Sequence, residues 1–127
     1  MNSLFLVMAG GAAGAGARYL TGRAMTHALG SGWPWGTLTV NVAGGLLMGL
    51  LVGVLARGAG GAAGETWRLL LGVGVLGGFT TFSSFALDVV GMIERGALAA
   101  AFGYVMLSVV GSIVALFAGL TIARVPA

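Results

Sequence analysis

The sequence has no cysteine and a single histidine, His27. Disulfide stapling, thiolate metal sites and a histidine-rich metal centre within one subunit are thereby excluded, and redox compartment cannot be read. Charge is nearly as scarce. Only 7% of the 127 residues are charged, several-fold below an ordinary soluble domain. A small soluble protein needs proportionally more polar surface, so its shortage here is acute. With 58% hydrophobic residues and a mean hydropathy of +1.05, lipid must replace water around most of the chain.

Lysine is absent too. The formal charge of +3 comes from six arginines, scattered singly or in pairs without a basic run or interleaved aromatics. That pattern excludes a nucleic-acid partner and fits arginines at membrane interfaces. Glu65, Asp88 and Glu94 are the only acids, and Glu65 and Glu94 fall in connections. No enzyme constellation can be assembled from them. The GxGxxG-like pieces near residues 10–16 lie in an apolar membrane pattern without the strand–turn–helix context of a dinucleotide site.

What is abundant is long apolar sequence. Four segments, about residues 4–25, 35–56, 67–90 and 98–123, dominate the chain. Each meets the roughly 20 residues a helix needs to cross about 30 Å of hydrocarbon. Lipid offers backbone groups no water, so helices are favoured; the many short alternating segments of a β-barrel are missing. The sequence therefore predicts an all-α integral membrane protein, one domain over 1–127, with four spans. The connections at 27–34, 57–66 and 92–97 are short and rich in turn residues. Tyr19, Trp33, Trp35 and Trp67 fall near span ends, as interfacial anchors do. Residues 1–17 lack a positive leading region and their apolar pattern continues to Met25, so they read as a retained first span and not a cleaved leader.

Four spans put both termini on one side of the membrane. Arg57, Arg68 and Arg124 lie on that side; Arg23 and Arg95 lie on the other, with Arg18 deeper at the same helix end. This near balance gives almost no orientation signal. Either a few residues decide the orientation, or the chain inserts both ways and pairs as an antiparallel dimer. Glycine is plentiful, at 25 residues. Gly45, Gly49 and Gly53 recur every four residues, and Gly10, Gly14 and Gly22 do similar work in the first span, so close helix contact is expected.

Polar groups in lipid must face a partner or a water-filled cavity. Thr37 and Asn41 share a helix face, as do Tyr104, Ser108 and Ser112. Such stripes serve either as interhelical glue or as a track of uncharged donors for an anion. In span three, Gly77-Gly78 near mid-membrane should weaken or break the helix, and Thr80 or Thr81 could cap its restart. A broken membrane helix frees carbonyls for a cation and amides for an anion. Phe82 and Phe85 face the same way; they either pack or present positive ring edges to a small anion. Arg18 either snorkels or raises the potential of a vestibule. Asp88, near a span end, can pair with an arginine, but is too shallow for a central proton relay.

Residues 11–19 (GAAGAGARY), 36–44 (GTLTVNVAG), 77–85 (GGFTTFSSF) and the line through Tyr104, Ser108 and Ser112 together resemble the bacterial fluoride ion channel family, also called fluoride exporters or camphor-resistance proteins. The resemblance covers essentially the whole chain, and GGFTTFSSF is its most specific piece. It implies passive fluoride export from the cell across the bacterial inner membrane by an antiparallel, dual-topology homodimer with two pores. It also implies a structural Na+ at the dimer interface, held by the backbone carbonyls of Gly77 and Thr80. By the same resemblance Asn41, Thr37, Phe82, Phe85, Tyr104, Ser108 and Ser112 line the pore, and Arg18 matches a first-helix arginine. Asp88 stands where many members have glutamate, and Ser84 where threonine is frequent. A small drug–proton antiporter would also have four spans, but it needs a deep carboxylate where span one offers Arg18. A purely structural membrane subunit would tolerate loss of Phe82 or Phe85.

Overall fold

The computed structural model describes residues 2–58 and 61–124, the side chains of 61 and 62 apart. Helix α1 (Asn2–Leu29) is 28 residues long. Gly30 stops it with a φ of 83°, a conformation that glycine adopts without a Cβ clash, while its N–H bonds back to the Thr26 carbonyl at 2.8 Å. Helix α2 (Trp35–Ala56) starts directly after Pro34.

The third rod is irregular. It opens as α3 (Gly61–Trp67), widens into a nine-residue π-helical stretch (Arg68–Leu76) and narrows again to α4 (Gly77–Phe79). Thr80 and Thr81 then leave the helix in extended conformations, with ψ of 158° and 122°. Helix α5 (Phe82–Glu94) restarts the rod, and Gly96, at φ 78°, turns the chain into α6 (Leu98–Arg124). The interruption near mid-membrane is present, but not at the expected residues. Gly77 is helical (φ −62°, ψ −39°), and the break falls at Thr80–Thr81. The physical reason is that Gly78 serves packing against α1, whereas the threonines gain side-chain partners by leaving the helix.

Two glycine seams hold the helices together. In one, α2 crosses α6. A Cβ at Gly45 would stand 2.7 Å from the Ser112 carbonyl oxygen, and Gly49, Gly53 and Gly119 meet Leu116, Ala123 and Leu46 as closely. In the other, Gly10 of α1 faces Gly74 of the third rod, Gly14 faces Val75 and Phe79, and Gly78 backs onto Gly11 and Ala15. A Cβ on Gly10 would lie 2.9 Å from the Gly74 Cα, and one on Gly78 3.1 Å from the Ala15 nitrogen. Lipid supplies no hydrophobic drive between helices, so such backbone contact has to provide the attraction.

Three stretches are long and apolar enough to cross a membrane among the described residues: Trp35–Ala56, Ala63–Glu94 and Leu98–Arg124. The first segment, expected as a fourth span, is a 28-residue helix, long enough to cross, but is not among these three. Its glycines, Arg18 and Arg23 lower its hydropathy, and its small-residue face is spent on the third rod. The chain is a multi-pass membrane protein, with large apolar side chains such as Phe102 and Phe117 of α6 exposed on its outside.

Candidate functional site

The break in the third rod is the centre of the polar structure. Asn41 of α2 grips Thr81 from both sides: its Nδ2 donates to the Thr81 carbonyl at 3.0 Å, and its Oδ1 accepts from the Thr81 N–H at 2.8 Å. The Thr81 hydroxyl accepts from the Ser84 N–H at 3.2 Å and so caps α5. The Thr80 hydroxyl turns back to the Leu76 carbonyl at 2.9 Å. Arg18 of α1 donates its Nε–H to the Gly78 carbonyl at 3.0 Å, so its head group is anchored at the break and does not snorkel.

These caps change the bookkeeping of the backbone. In an unbroken helix the Thr81 N–H would bond the Gly77 carbonyl and the Ser84 N–H the Thr80 carbonyl. Here both donors go to side chains. The carbonyls of Gly77 and Thr80 are therefore released from the helical ladder at mid-depth.

Two hollows flank the break. The larger, about 930 Å3, opens at the end where α1 meets α2 and is lined by Arg18, Arg23, Trp33, Thr37, Asp88 and Arg95 among others. Three arginines against one carboxylate make it net positive. The smaller, about 400 Å3, is a largely apolar cleft walled by Asn41, Phe82, Phe85, Ser108 and Ser112. Thr81 lines both. The Ser108 hydroxyl is buried without a hydrogen-bond partner, a costly state unless something meets it there.

The sequence candidates thus separate into two groups. Asn41, Phe82, Phe85, Ser108 and Ser112 meet around the cleft, while Arg18 and Thr37 line the vestibule. Tyr104 lies at neither wall. It is fully buried, and its hydroxyl donates to Asp88 Oδ2 at 2.9 Å. Asp88 thereby takes a tyrosine where an arginine partner was one expectation. Phe85 is buried, but Phe82 is 80% exposed on the flank of the subunit, its ring centroid 5.6 Å from that of Phe85. The two phenylalanines therefore share a wall without sharing an environment.

Sequence reasoning missed Trp33, read as an interfacial anchor. It also packs on the buried cluster of Phe85, Met92, Ala101 and Tyr104. No sequence signal marks this, because an aromatic beside a Pro at a span end looks the same in either role. Ser84 and Gly91 of the vestibule wall were likewise not singled out as lining it; both lie on the α5 face that carries Asp88, which helical spacing would have found.

Comparison with known proteins gives one consistent result. Residues 5–120 match the family described as CrcB-like protein, Camphor Resistance (CrcB). The chain is 60% identical over 124 residues to the fluoride-specific ion channel FluC of Phenylobacterium zucineum, covering 98% of this chain and 97% of that one. It is 57% identical to the FluC of Caulobacter vibrioides over the same shares. It is 47% identical to that of Mesorhizobium japonicum, covering 98% of each.

Proposed function

The chain belongs to the CrcB-like family of bacterial fluoride channels, and from that premise we propose how its residues carry fluoride. It is a fluoride-selective channel of the inner membrane, not an enzyme, and it lets fluoride leave the cell passively. The observation that carries the residue assignment is the cleft beside the helix break, where Asn41, Ser108, Ser112 and two phenylalanine rings converge without a fixed charge.

Fluoride enters the positive vestibule still hydrated. The Arg18 guanidinium, tethered by one N–H to Gly78, keeps further N–H groups for the anion. Thr37 stands in the same wall. Passage into the cleft removes water, and closely set donors must replace it. Asn41 spends one amide proton on Thr81 and retains a second. Ser108 holds an unpartnered hydroxyl there, and Ser112 adds another. The positive ring edges of Phe82 and Phe85 complete the donor set. None of these groups is ionised, so the anion is attracted without being trapped. An inside-negative potential drives export with about 2.3 kcal/mol per charge for each 100 mV.

The working unit is an antiparallel homodimer with two pores. Two observations support it: the arginines are almost evenly divided between the two ends, and the cleft is open along the flank where Phe82 is 80% exposed. A second copy supplies the missing wall. The carbonyls of Gly77 and Thr80, which have lost their helical donors to Asn41 and Thr81, would hold a structural Na+ in such a dimer. The ion would offset the negative ends of those carbonyls.

The test is growth. Expressed in a bacterium stripped of its own fluoride export, the chain restores growth in fluoride medium, and Asn41→Asp does not. Equal growth of the two strains would remove the residue assignment. Crosslinking that recovers only parallel pairs would remove the dimer.

A further inference from the structure

We propose that Trp33 is a positioning residue of the fluoride pathway, acting through Tyr104 on Phe85; the inference rests on the channel reading above. Five aromatic rings form an unbroken line through the subunit. Trp35 and Trp33 have centroids 5.2 Å apart, Trp33 and Tyr104 5.4 Å, Tyr104 and Phe85 5.3 Å, and Phe85 and Phe82 5.6 Å. The line starts in the vestibule, whose wall includes both tryptophans, and ends in the cleft, whose wall includes both phenylalanines.

Tyr104 is the middle link and has no exposure. Three of its contacts matter for the chain of rings. Asp88 accepts from its hydroxyl at 2.9 Å, Phe85 leans on its ring at 47°, and Trp33 meets it edge-on at 80°. The first two come from α5, and only Trp33 comes from the connection between α1 and α2. Thr37 of α2 also hydrogen-bonds the Tyr104 hydroxyl, so removing Trp33 leaves that hydroxyl held and frees the ring only at the contact Trp33 made. Phe85 packs directly on Tyr104, so the tilt of the Phe85 ring follows. That tilt decides whether the positive edge or the negative face is turned to an anion. Trp33 packs on the buried cluster that holds Phe85 and Tyr104 without lining the cleft, and its effect passes through those rings.

The experiment measures single-channel fluoride current in planar bilayers for the wild type, Trp33→Leu, Trp33→Phe and, as an interfacial control, Trp67→Leu. Unitary current reports only on molecules that fold and conduct, so a folding defect reduces the number of channels and not the current of each. Trp33→Leu lowers the unitary current by about five-fold, the loss of one ring pair in mid-range. Trp33→Phe, which keeps a ring, restores at least half of it, and Trp67→Leu matches the wild type. Emission provides a second, independent measurement. In a Trp35→Phe, Trp67→Phe background only Trp33 emits, and fluoride titration shifts its spectrum. An unchanged unitary current in Trp33→Leu, or a spectrum indifferent to fluoride where Trp33→Leu does not insert, overturns the role of Trp33 and leaves the channel reading intact. No fluoride current from the wild type overturns the channel reading, and this inference with it.

Discussion

Asn41 and Thr81 hold each other by two hydrogen bonds, at 3.0 and 2.8 Å, across the gap between α2 and the broken third rod. One side chain thereby satisfies both backbone groups of a residue that has left its helix. The same amide stands in the wall of the cleft. The proposed path makes this one residue serve both structure and conduction, and its replacement tests both.

Asn41→Asp keeps an acceptor for the Thr81 N–H but loses the donor and adds a negative charge beside the anion path. Fluoride efflux from liposomes falls by at least about 100-fold, given the repulsion expected between like charges a few ångströms apart near a protein surface. A fluoride electrode records it. Wild-type efflux in this variant contradicts the path drawn here.

Tyr104→Phe has a different expected outcome. The Tyr104 proton is committed to Asp88, so the variant loses a structural bond and not an anion contact. Stability in detergent falls by about 1–3 kcal/mol, the cost of leaving the carboxylate without its partner. Efflux per inserted channel stays within a few-fold of wild type. A collapse of unitary flux with unchanged melting would mean that the hydroxyl serves fluoride directly.

Phe82 and Phe85 separate by burial. Phe85→Ala opens a hole in the buried cluster and destabilises the protein by about 3–5 kcal/mol as well as lowering flux. Phe82→Ala removes a ring that is 80% exposed within one subunit. It lowers flux while the melting temperature of the dissociated subunit changes little. Thermal unfolding beside liposome efflux distinguishes the two.

Gly14→Leu tests the seam between α1 and the third rod. Even a Cβ at this position would come within 2.9 Å of the Phe79 nitrogen, with backbone that cannot yield. Overpacking of this kind costs about 1–3 kcal/mol or more, and size-exclusion elution loses its single sharp peak. Gly16→Leu, with open space around it, elutes as wild type.

Much of this arrangement was legible in the residues. The glycine spacing of α2 announced a tight crossing because a four-residue repeat has only one helical face to occupy. The interruption of the third rod was legible as an event but not as a position. Gly77-Gly78 advertises weakness, yet glycine in lipid is equally a packing device. The deciding partner, Asn41, lies 40 residues away in sequence. The packing of Trp33 and the tyrosine partner of Asp88 were not legible for the same reason. Each has a partner in a distant helix, and one-dimensional spacing carries no record of which helices meet. The weak apolarity of α1 follows from glycines spent on contact, which a hydropathy pattern reads as dilution.

The most direct measurement is anion efflux from liposomes holding the purified protein, with the voltage clamped by a potassium gradient and valinomycin. The account predicts fluoride efflux that rises with the imposed voltage, needs no proton gradient, and is not matched by chloride. Chloride efflux equal to fluoride, or fluoride movement only when a proton gradient is supplied, contradicts it.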